Sequence, residues 1–356
     1  MLKREVFKSF SWRFALFASC LSLCVPVQAH VAGFESSNSL ETYKLSSYYD
    51  AEVGSHLADA GQYGQAIHYF AKAVEKNPTS VLNQYNLGYS EMMLAEIITP
   101  GDDKEQVLFQ AEWAMQRARD LNPDMTLTYF KLGKLAIERG DYSQATQYYK
   151  EGAENNPDSA ALWFNLGAAY EKIKDPEQAE QAYLKAIEQN PKFVYAHNNL
   201  GLLYEQTNRT AQAEEIYKKA LEEMPDYNFA RLNLGSLLQG MGRIDEAKLY
   251  YREALKYEPD NPWAYLYLGN INYTQGNYQE ALEAYNKAIS LNPDYPTTYY
   301  LACLTLQKLN RTDEALANGL HYINLAPEGA FSQEAGEIIM TLKQQSKPKT
   351  SSTGQS

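Results

Sequence analysis

The chain is poor in cysteine, in basic charge and in long apolar runs. Of its three cysteines, Cys20 and Cys24 share one N-terminal apolar stretch, which leaves Cys303 alone in the remainder and excludes an internal disulfide framework. Stability must come from packing. Lys and Arg number 32 against 44 Asp and Glu, a net charge of −12, which disfavours nucleic acid and anionic lipid surfaces as partners. Histidine is scarce: His30, His56, His68, His197 and His321 are scattered and sit in no zinc-protease, kinase or hydrolase motif. No G-x-x-x-x-G-K-[ST] phosphate loop and no G-x-S-x-G elbow occur, and Cys303 has no neighbouring histidine to make it a nucleophile. Neither a cofactor nor a metal site is expected, and catalysis is not.

Residues 1–29 read as a secretory leader. Lys3, Arg4, Lys8 and Arg13 form a basic start, "FALFASCLSLCV" a short apolar core, and "VQA" a small-residue cleavage site before His30. That core is about a dozen residues where a spanning helix needs ~20. Cleavage removes four positive charges and one negative, Glu5, moving the net charge from −12 to −15. The alternatives are an uncleaved signal anchor, for which the core is short, and a lipid anchor on Cys20 or Cys24, but Leu23 is too large to precede a lipidated Cys24, and Phe17-Ala18-Ser19 before Cys20 follows too short a core. Export to the periplasm or beyond is the expectation, with membrane attachment only if the chain is lipidated. Protein segments, neutral to basic, are the expected partners.

What the chain has is a period. Helix-ending prolines stand at Pro78, Pro123, Pro157, Pro191, Pro225, Pro259, Pro293 and Pro327, every interval 34 residues except the first, which is 45. They divide the chain into eight units: 47–80, 81–125, 126–159, 160–193, 194–227, 228–261, 262–295 and 296–329. Residues 30–46 read as a lead-in, 330–344 as a capping helix with Phe331, Ala335, Ile338, Ile339 and Leu342 on one face, and 345–356 as a solvated tail. Within 160–193, Trp163, Leu166, Gly167 and Tyr170 have helical spacing, and Ala179, Tyr183 and Ala186 mark a second helix. The turn between them falls at position 15: Gly61, Gly140, Asn208, Gly242, Gly276 and Asn310, residues that tolerate the left-handed conformation. In 160–193, Asp175 and Pro176 supply an N-cap and first-turn proline instead.

Small residues recur at position 8 (Gly133, Gly167, Gly201, Gly235, Gly269), expected to face Ala145, Ala179, Ala213, Ala247 and Ala281. A ring at position 24 (Phe70, Tyr149, Tyr183, Tyr217, Tyr251, Tyr285) is expected to fill the gap toward the next unit. The unit 81–125 carries 11 extra residues near "AEIITPGDDKE", expected to lengthen its helices into a hairpin around Pro100 and Gly101. Such units cannot bury their apolar faces singly and must stack.

These residues resemble the tetratricopeptide repeat. The resemblance implies an all-α, right-handed superhelical solenoid whose first helices line a concave groove, and it implies no chemistry. Asn86, Asn165, Asn199 and Asn233 at position 6 would then point into the groove, where a primary amide can bond a peptide N–H and C=O together. At this position only, they are similar to the asparagine ladder of O-linked N-acetylglucosamine transferases. Phe130, Phe164, Tyr195, Phe229, Trp263 and Tyr300 would join them, with Tyr267 replacing the asparagine in its unit. Glu138, Glu171, Lys172, Glu205 and Gln206 at positions 12 and 13 read as a solvated rim. Repeats that grip acidic C-termini resemble one another in lysines at positions 2 and 5, and position 2 here holds no lysine. The expected function is that of a non-catalytic scaffold holding an extended protein segment. The alternatives are a lipid-anchored envelope assembly factor and the substrate-recruiting subunit of an enzyme such as a glycosyltransferase.

Overall fold

The computed structural model describes residues 39–99 and 101–345; the leader over 1–29, Pro100 and the tail beyond Gln345 lie outside them. Seventeen helices and no strand occur among the described residues. They fall into two compact units that meet in sequence at Leu121 and Asn122.

The first unit holds α1 (Ser39–Asp59), α2 (Tyr63–Lys76), α3 (Val81–Ile97) and α4 (Asp102–Leu121). No glycine or proline interrupts the chain from Ser39 to Val53, so α1 starts inside the stretch read as a lead-in. The 11 extra residues of the second repeat lengthen both of its helices, to 17 and 20 residues, and Gly101 sits between them. Ser80 caps α3, its side chain accepting from Asn83 N. Phe70, Leu87, Ala66 and Ala114 form the unit's apolar centre.

The second unit holds six helix pairs and a final helix: α5 (Thr126–Glu138) with α6 (Tyr142–Asn155), α7 (Ala160–Lys172) with α8 (Pro176–Gln189), α9 (Val194–Gln206) with α10 (Thr210–Glu223), α11 (Asn228–Gly240) with α12 (Ile244–Tyr257), α13 (Pro262–Thr274) with α14 (Tyr278–Leu291), α15 (Pro296–Lys308) with α16 (Thr312–Leu325), and α17 (Ser332–Gln345). Each helix packs on its sequence neighbour, and first helices of successive repeats also meet, α9 on α11 and α11 on α13. Ion pairs tie one repeat to the next: Arg209 reaches Glu180 at 2.7 Å and Arg243 reaches Glu214 at 2.6 Å.

Gly140, Asn208, Gly242, Gly276 and Asn310 take positive φ as the turn chemistry requires, and so does Gly61 in the first unit. Lys174 does too, with φ 61°. Asp175 does cap α8, accepting from Gln178 N, with Pro176 in the first turn, but they add to a left-handed turn like the others rather than taking its place. The hydrogen bond from Asp175 N to Tyr170 O, 3.0 Å, closes the same terminal loop that Arg209 N to Tyr204 O closes one repeat later, and this loop needs a left-handed residue whatever its side chain.

The position-8 glycines have a different neighbour from the alanines expected. A Cβ on Gly167 would fall 2.6 Å from the Tyr183 ring, and one on Gly269 would fall 2.6 Å from Tyr285. Gly133, Gly201 and Gly235 stand in the same way against Tyr149, Tyr217 and Tyr251. The position-24 ring thus fills the notch its own repeat leaves at position 8, and Tyr183, Tyr217, Tyr251 and Tyr285 are fully buried there. In the first unit, Gly88 stands against Ala111 O instead. At the other end, α17 covers the last pair with Ala335, Ile339 and Leu342 buried.

Candidate functional site

In the second unit the first helices and the residues that lead into them carry three sets of groups: amides, ring-anchored acceptors and aromatic rings. Asn165, Asn199 and Asn233 are half-buried, and each gives one amide hydrogen to the chain. Asn165 donates to Ala161 O at 2.8 Å, Asn199 to the Tyr183 hydroxyl at 3.4 Å, and Asn233 to Asn198 Oδ1 at 2.9 Å. One hydrogen and the Oδ1 of each amide have no partner among the described residues, so part of their capacity is kept.

The second row, a rim by its place in the sequence, is more deeply set. Tyr183 donates a short hydrogen bond to Glu171, Tyr217 donates to Glu205 Oε1 at 2.6 Å, Tyr251 to Gln239 Oε1 at 3.3 Å, and Tyr285 to Asn270 Oδ1 at 2.8 Å. Burial, with the facing carboxylate, holds the Tyr183 and Tyr217 hydroxyls well above the usual phenol range, so they stay donors. Glu205 is raised by burial and lowered by the Tyr217 bond. Glu171 and Glu205 are thus half-buried, oriented acceptors rather than solvated charges, whereas Lys172 and Gln206 are exposed and Glu138 pairs with Lys134 at 3.4 Å on the surface.

The third row is aromatic and continuous over three repeats. Phe164 meets Phe193 with ring centroids 5.3 Å apart, Phe193 meets Tyr195 at 5.8 Å, Tyr195 meets Tyr227 at 5.7 Å, and Tyr227 meets Phe229 at 5.8 Å. These are edge-on or tilted contacts, the arrangement ring quadrupoles favour. Tyr195 and Phe229 are 57% and 67% exposed. Further along, Trp263 packs edge-on to Tyr295 at 4.7 Å, and Tyr267 stacks on Tyr251 at 5.1 Å. Phe130 is half-buried. Tyr300 departs from its expected place: it is 4% exposed, with Phe331 stacked parallel at 4.6 Å and Tyr322 at 5.5 Å. The approach to α17 folds over it, so no ligand reaches that ring.

Phe193, Tyr227 and Tyr295 are absent from the rings that the sequence pattern singles out. Their signal is there: each is the last residue of a unit, directly after "NPK", "MPD" or "NPD", with Asn261 taking the slot between. Asn261 is spent on capping α13, accepting from Ala264 N at 3.0 Å.

Asn86 belongs to the first unit and is described with it. It helps line an open depression of about 560 Å³ between α1 and α3, together with Ser47, Tyr48, Ser55, His56 and Leu82. The lining mixes apolar, polar and charged groups, and Lys44, Glu52 and Asp59 stand at it.

No group of three or more His, Cys, Asp or Glu side chains with metal-binding geometry occurs among the described residues. Cys303 is buried against Gly319, and burial pushes its thiol up to about 11, so it stays protonated and unreactive. No helix among the described residues is long and apolar enough to cross a membrane.

The tetratricopeptide-repeat family model matches residues 130–192, 172–228 and 232–296. A TPR repeat-containing protein of Borreliella burgdorferi is 37% identical over 60 residues, 17% of this chain, and the match spans about a quarter (26%) of that relative's length. Yeast Tom70 superposes with a TM-score of 0.56 at 16% identity, over 88% of this chain and 66% of its own. Pseudomonas aeruginosa PilF superposes with a TM-score of 0.51 at 22% identity, over 60% of this chain and 96% of its own. At those identities the two structures are alike in fold alone. The chain carries tetratricopeptide repeats, and its fold is of a kind typical of protein–protein interaction.

Proposed function

We propose that the chain is a non-catalytic scaffold that holds an extended segment of a partner protein along the first helices of its second unit. The observation that carries this is the unbroken aromatic row from Phe164 to Phe229, with two of its rings more than half exposed, beside half-buried amides and carboxylates that keep acceptor capacity. Exposed aromatic rings supply area at low entropic cost, and preset acceptors bind backbone N–H groups or basic side chains without reading much sequence. The acceptors Glu171 and Glu205, with the net charge of −12, favour a neutral to basic segment over an acidic one. Export to the envelope rests on the leader pattern over 1–29.

The test is capture from envelope extract on immobilised chain, beside two variants: Tyr195→Ala with Phe229→Ala, and Asn165→Ala with Asn199→Ala and Asn233→Ala. A partner lost from both variants, at unchanged melting temperature, is the expected result. A partner retained by both moves binding away from this face and ends the proposal.

A further inference from the structure

The second helix of each repeat in the second unit turns a largely polar row to solvent. In α6 that row includes Ser143, Gln147 and Glu151, and in α8 it includes Glu177, Gln181 and Lys185, all exposed. Counted back on the same 34-residue period, α4 carries Phe109, Trp113 and Arg117 at those places. Phe109 is 65% exposed and Trp113 52%, on the longest second helix among the described residues. Two large rings one helical turn apart stand where the other second helices carry mainly polar or small residues, the exposed Leu249 of α12 excepted.

The row has a second property. Glu105, Phe109, Trp113 and Arg117 are spaced four apart, so they share one stripe, with an acid at its N-terminal end, a base at its C-terminal end and the rings between. All four are exposed, and no ion pair or ring contact among the described residues engages them. A stripe of this order is complementary to itself when reversed. An antiparallel copy places Glu105 against the partner's Arg117, Phe109 against the partner's Trp113, and the converse pairs by the two-fold axis, which is the condition for an isologous contact. The i, i+4 ridge it forms is also the ridge that interdigitates in the commonest class of helix crossing.

We infer that the chain self-associates as a two-fold dimer through the Glu105–Phe109–Trp113–Arg117 stripe of α4. A second copy fits better than a foreign helix because both charge signs and both rings find their counterparts on the same surface. One helix crossing covers less than the ~1,600 Å² of a standard interface, so the association is weak and concentration-dependent.

Sedimentation velocity on the purified full chain from about 1 to 200 µM reads it, a range suited to an interface of that size. Wild type is expected to pass from monomer to dimer across it, and Trp113→Ala to raise the dissociation constant at least about tenfold. Glu105→Arg and Arg117→Glu should each weaken the dimer, while an equimolar mixture of those two variants should associate more tightly than either alone, since every cross-pair is then opposite in sign. The double variant E105R/R117E should return to the wild-type value. A wild type that stays monomeric throughout overturns the inference, and so does a dimer indifferent to Trp113→Ala. A charge-swap mixture no tighter than its components would falsify the antiparallel pairing. Because all four side chains are exposed, unchanged helical content by circular dichroism is expected of each variant.

Discussion

Gly201→Ala is a single added methyl group with a calculable consequence. Its Cβ would lie 2.7 Å from Tyr217 Cζ and 2.8 Å from Cδ1, so the ring must retreat by about 1 Å to reach ordinary contact. Tyr217 has nowhere open to go: it is fully buried in the core of its stack, and its hydroxyl is anchored to Glu205 at 2.6 Å. Overpacking of this kind costs roughly 1–3 kcal/mol, and weakening a hydrogen bond to a carboxylate adds about 1–2 kcal/mol. Against this, alanine is the better helix residue by roughly 0.5–1 kcal/mol. The net is a loss of about 1–4.5 kcal/mol, measured by urea unfolding with circular dichroism as the probe. Gly336→Ala is the control, because that glycine lies within α17 with nothing inside 4 Å of the added carbon, and it should gain the roughly 0.5–1 kcal/mol of helix propensity. Adding Tyr217→Leu to Gly201→Ala should cost less than the two changes taken separately, with a coupling of about 1 kcal/mol or more. The reasoning is refuted if Gly201→Ala and Gly336→Ala move stability in the same direction.

Lys174→Gly should raise the melting temperature, since a left-handed lysine costs roughly 1–2 kcal/mol and glycine gives back only part of that through its freer unfolded chain; a lower melting temperature would mean that the Lys174 side chain makes a contact worth more than the strain. Glu91 is 6% exposed in α3, its Oε2 has no hydrogen-bond partner among the described residues, and burial raises its carboxyl from 4.5 to about 8. A folded-state value above the unfolded one means that the contribution is fully present below about pH 4.5 and is lost as pH rises through about 8, with a ceiling on the order of 4–5 kcal/mol. Glu91→Gln should therefore unfold at higher urea than wild type at pH near 8.5 and at similar urea near pH 4.5; parallel pH profiles for the two proteins would show that Glu91 is not the group responsible.

The helix pairs and their turns were legible because proline, glycine and asparagine act locally. Their effects on φ and on hydrogen bonding need no partner from elsewhere in the chain, and a 34-residue recurrence makes each position visible several times. What was missed depended on three-dimensional neighbours. Gly201 and Ala213 are both small, and spacing alone cannot say that the notch at the glycine receives the Tyr217 ring rather than the alanine. Glu171 and Glu205 look like any charged helix residues until the hydroxyls of Tyr183 and Tyr217 are found 12 residues later in sequence and directly against them in space. Lys174 carries no turn signature, yet the loop that Asp175 N closes forces its conformation. Tyr300 sits on the same period as Phe130 and Phe164 but at the end of the stack, where Phe331 covers it. Of the candidate rings, Tyr195 and Phe229 are exposed, and the rings that join them, Phe193 and Tyr227, stand at a position usually counted as loop.

A repeat array divides its sequence between positions that must obey the period and positions that need not, and in the repeat over 81–125 several exceptions gather in one place. Its helices are the longest of any second or later repeat, its core holds the unpaired carboxyl of Glu91, and its outer row holds Phe109 and Trp113 in place of polar residues. None of these helps the stack: a buried unpaired carboxyl weakens it, and exposed rings forgo burial. Three other repeats have leucine at the Glu91 position (Leu57, Leu238 and Leu306) and none has a charge there, while the Trp113 position holds Gln147, Gln181, Glu215 and Glu283 in four others and the exposed Leu249 in one. Phe109 and Trp113 are exposed and depart from most internal copies of the same unit, which fits contact with something outside the fold, whereas Glu91 is 6% exposed and faces the core. Glu91→Leu and Trp113→Gln return these two positions to residues that other repeats use, so both should hold or raise the melting temperature; only Trp113→Gln should also abolish self-association, because its side chain alone faces outward.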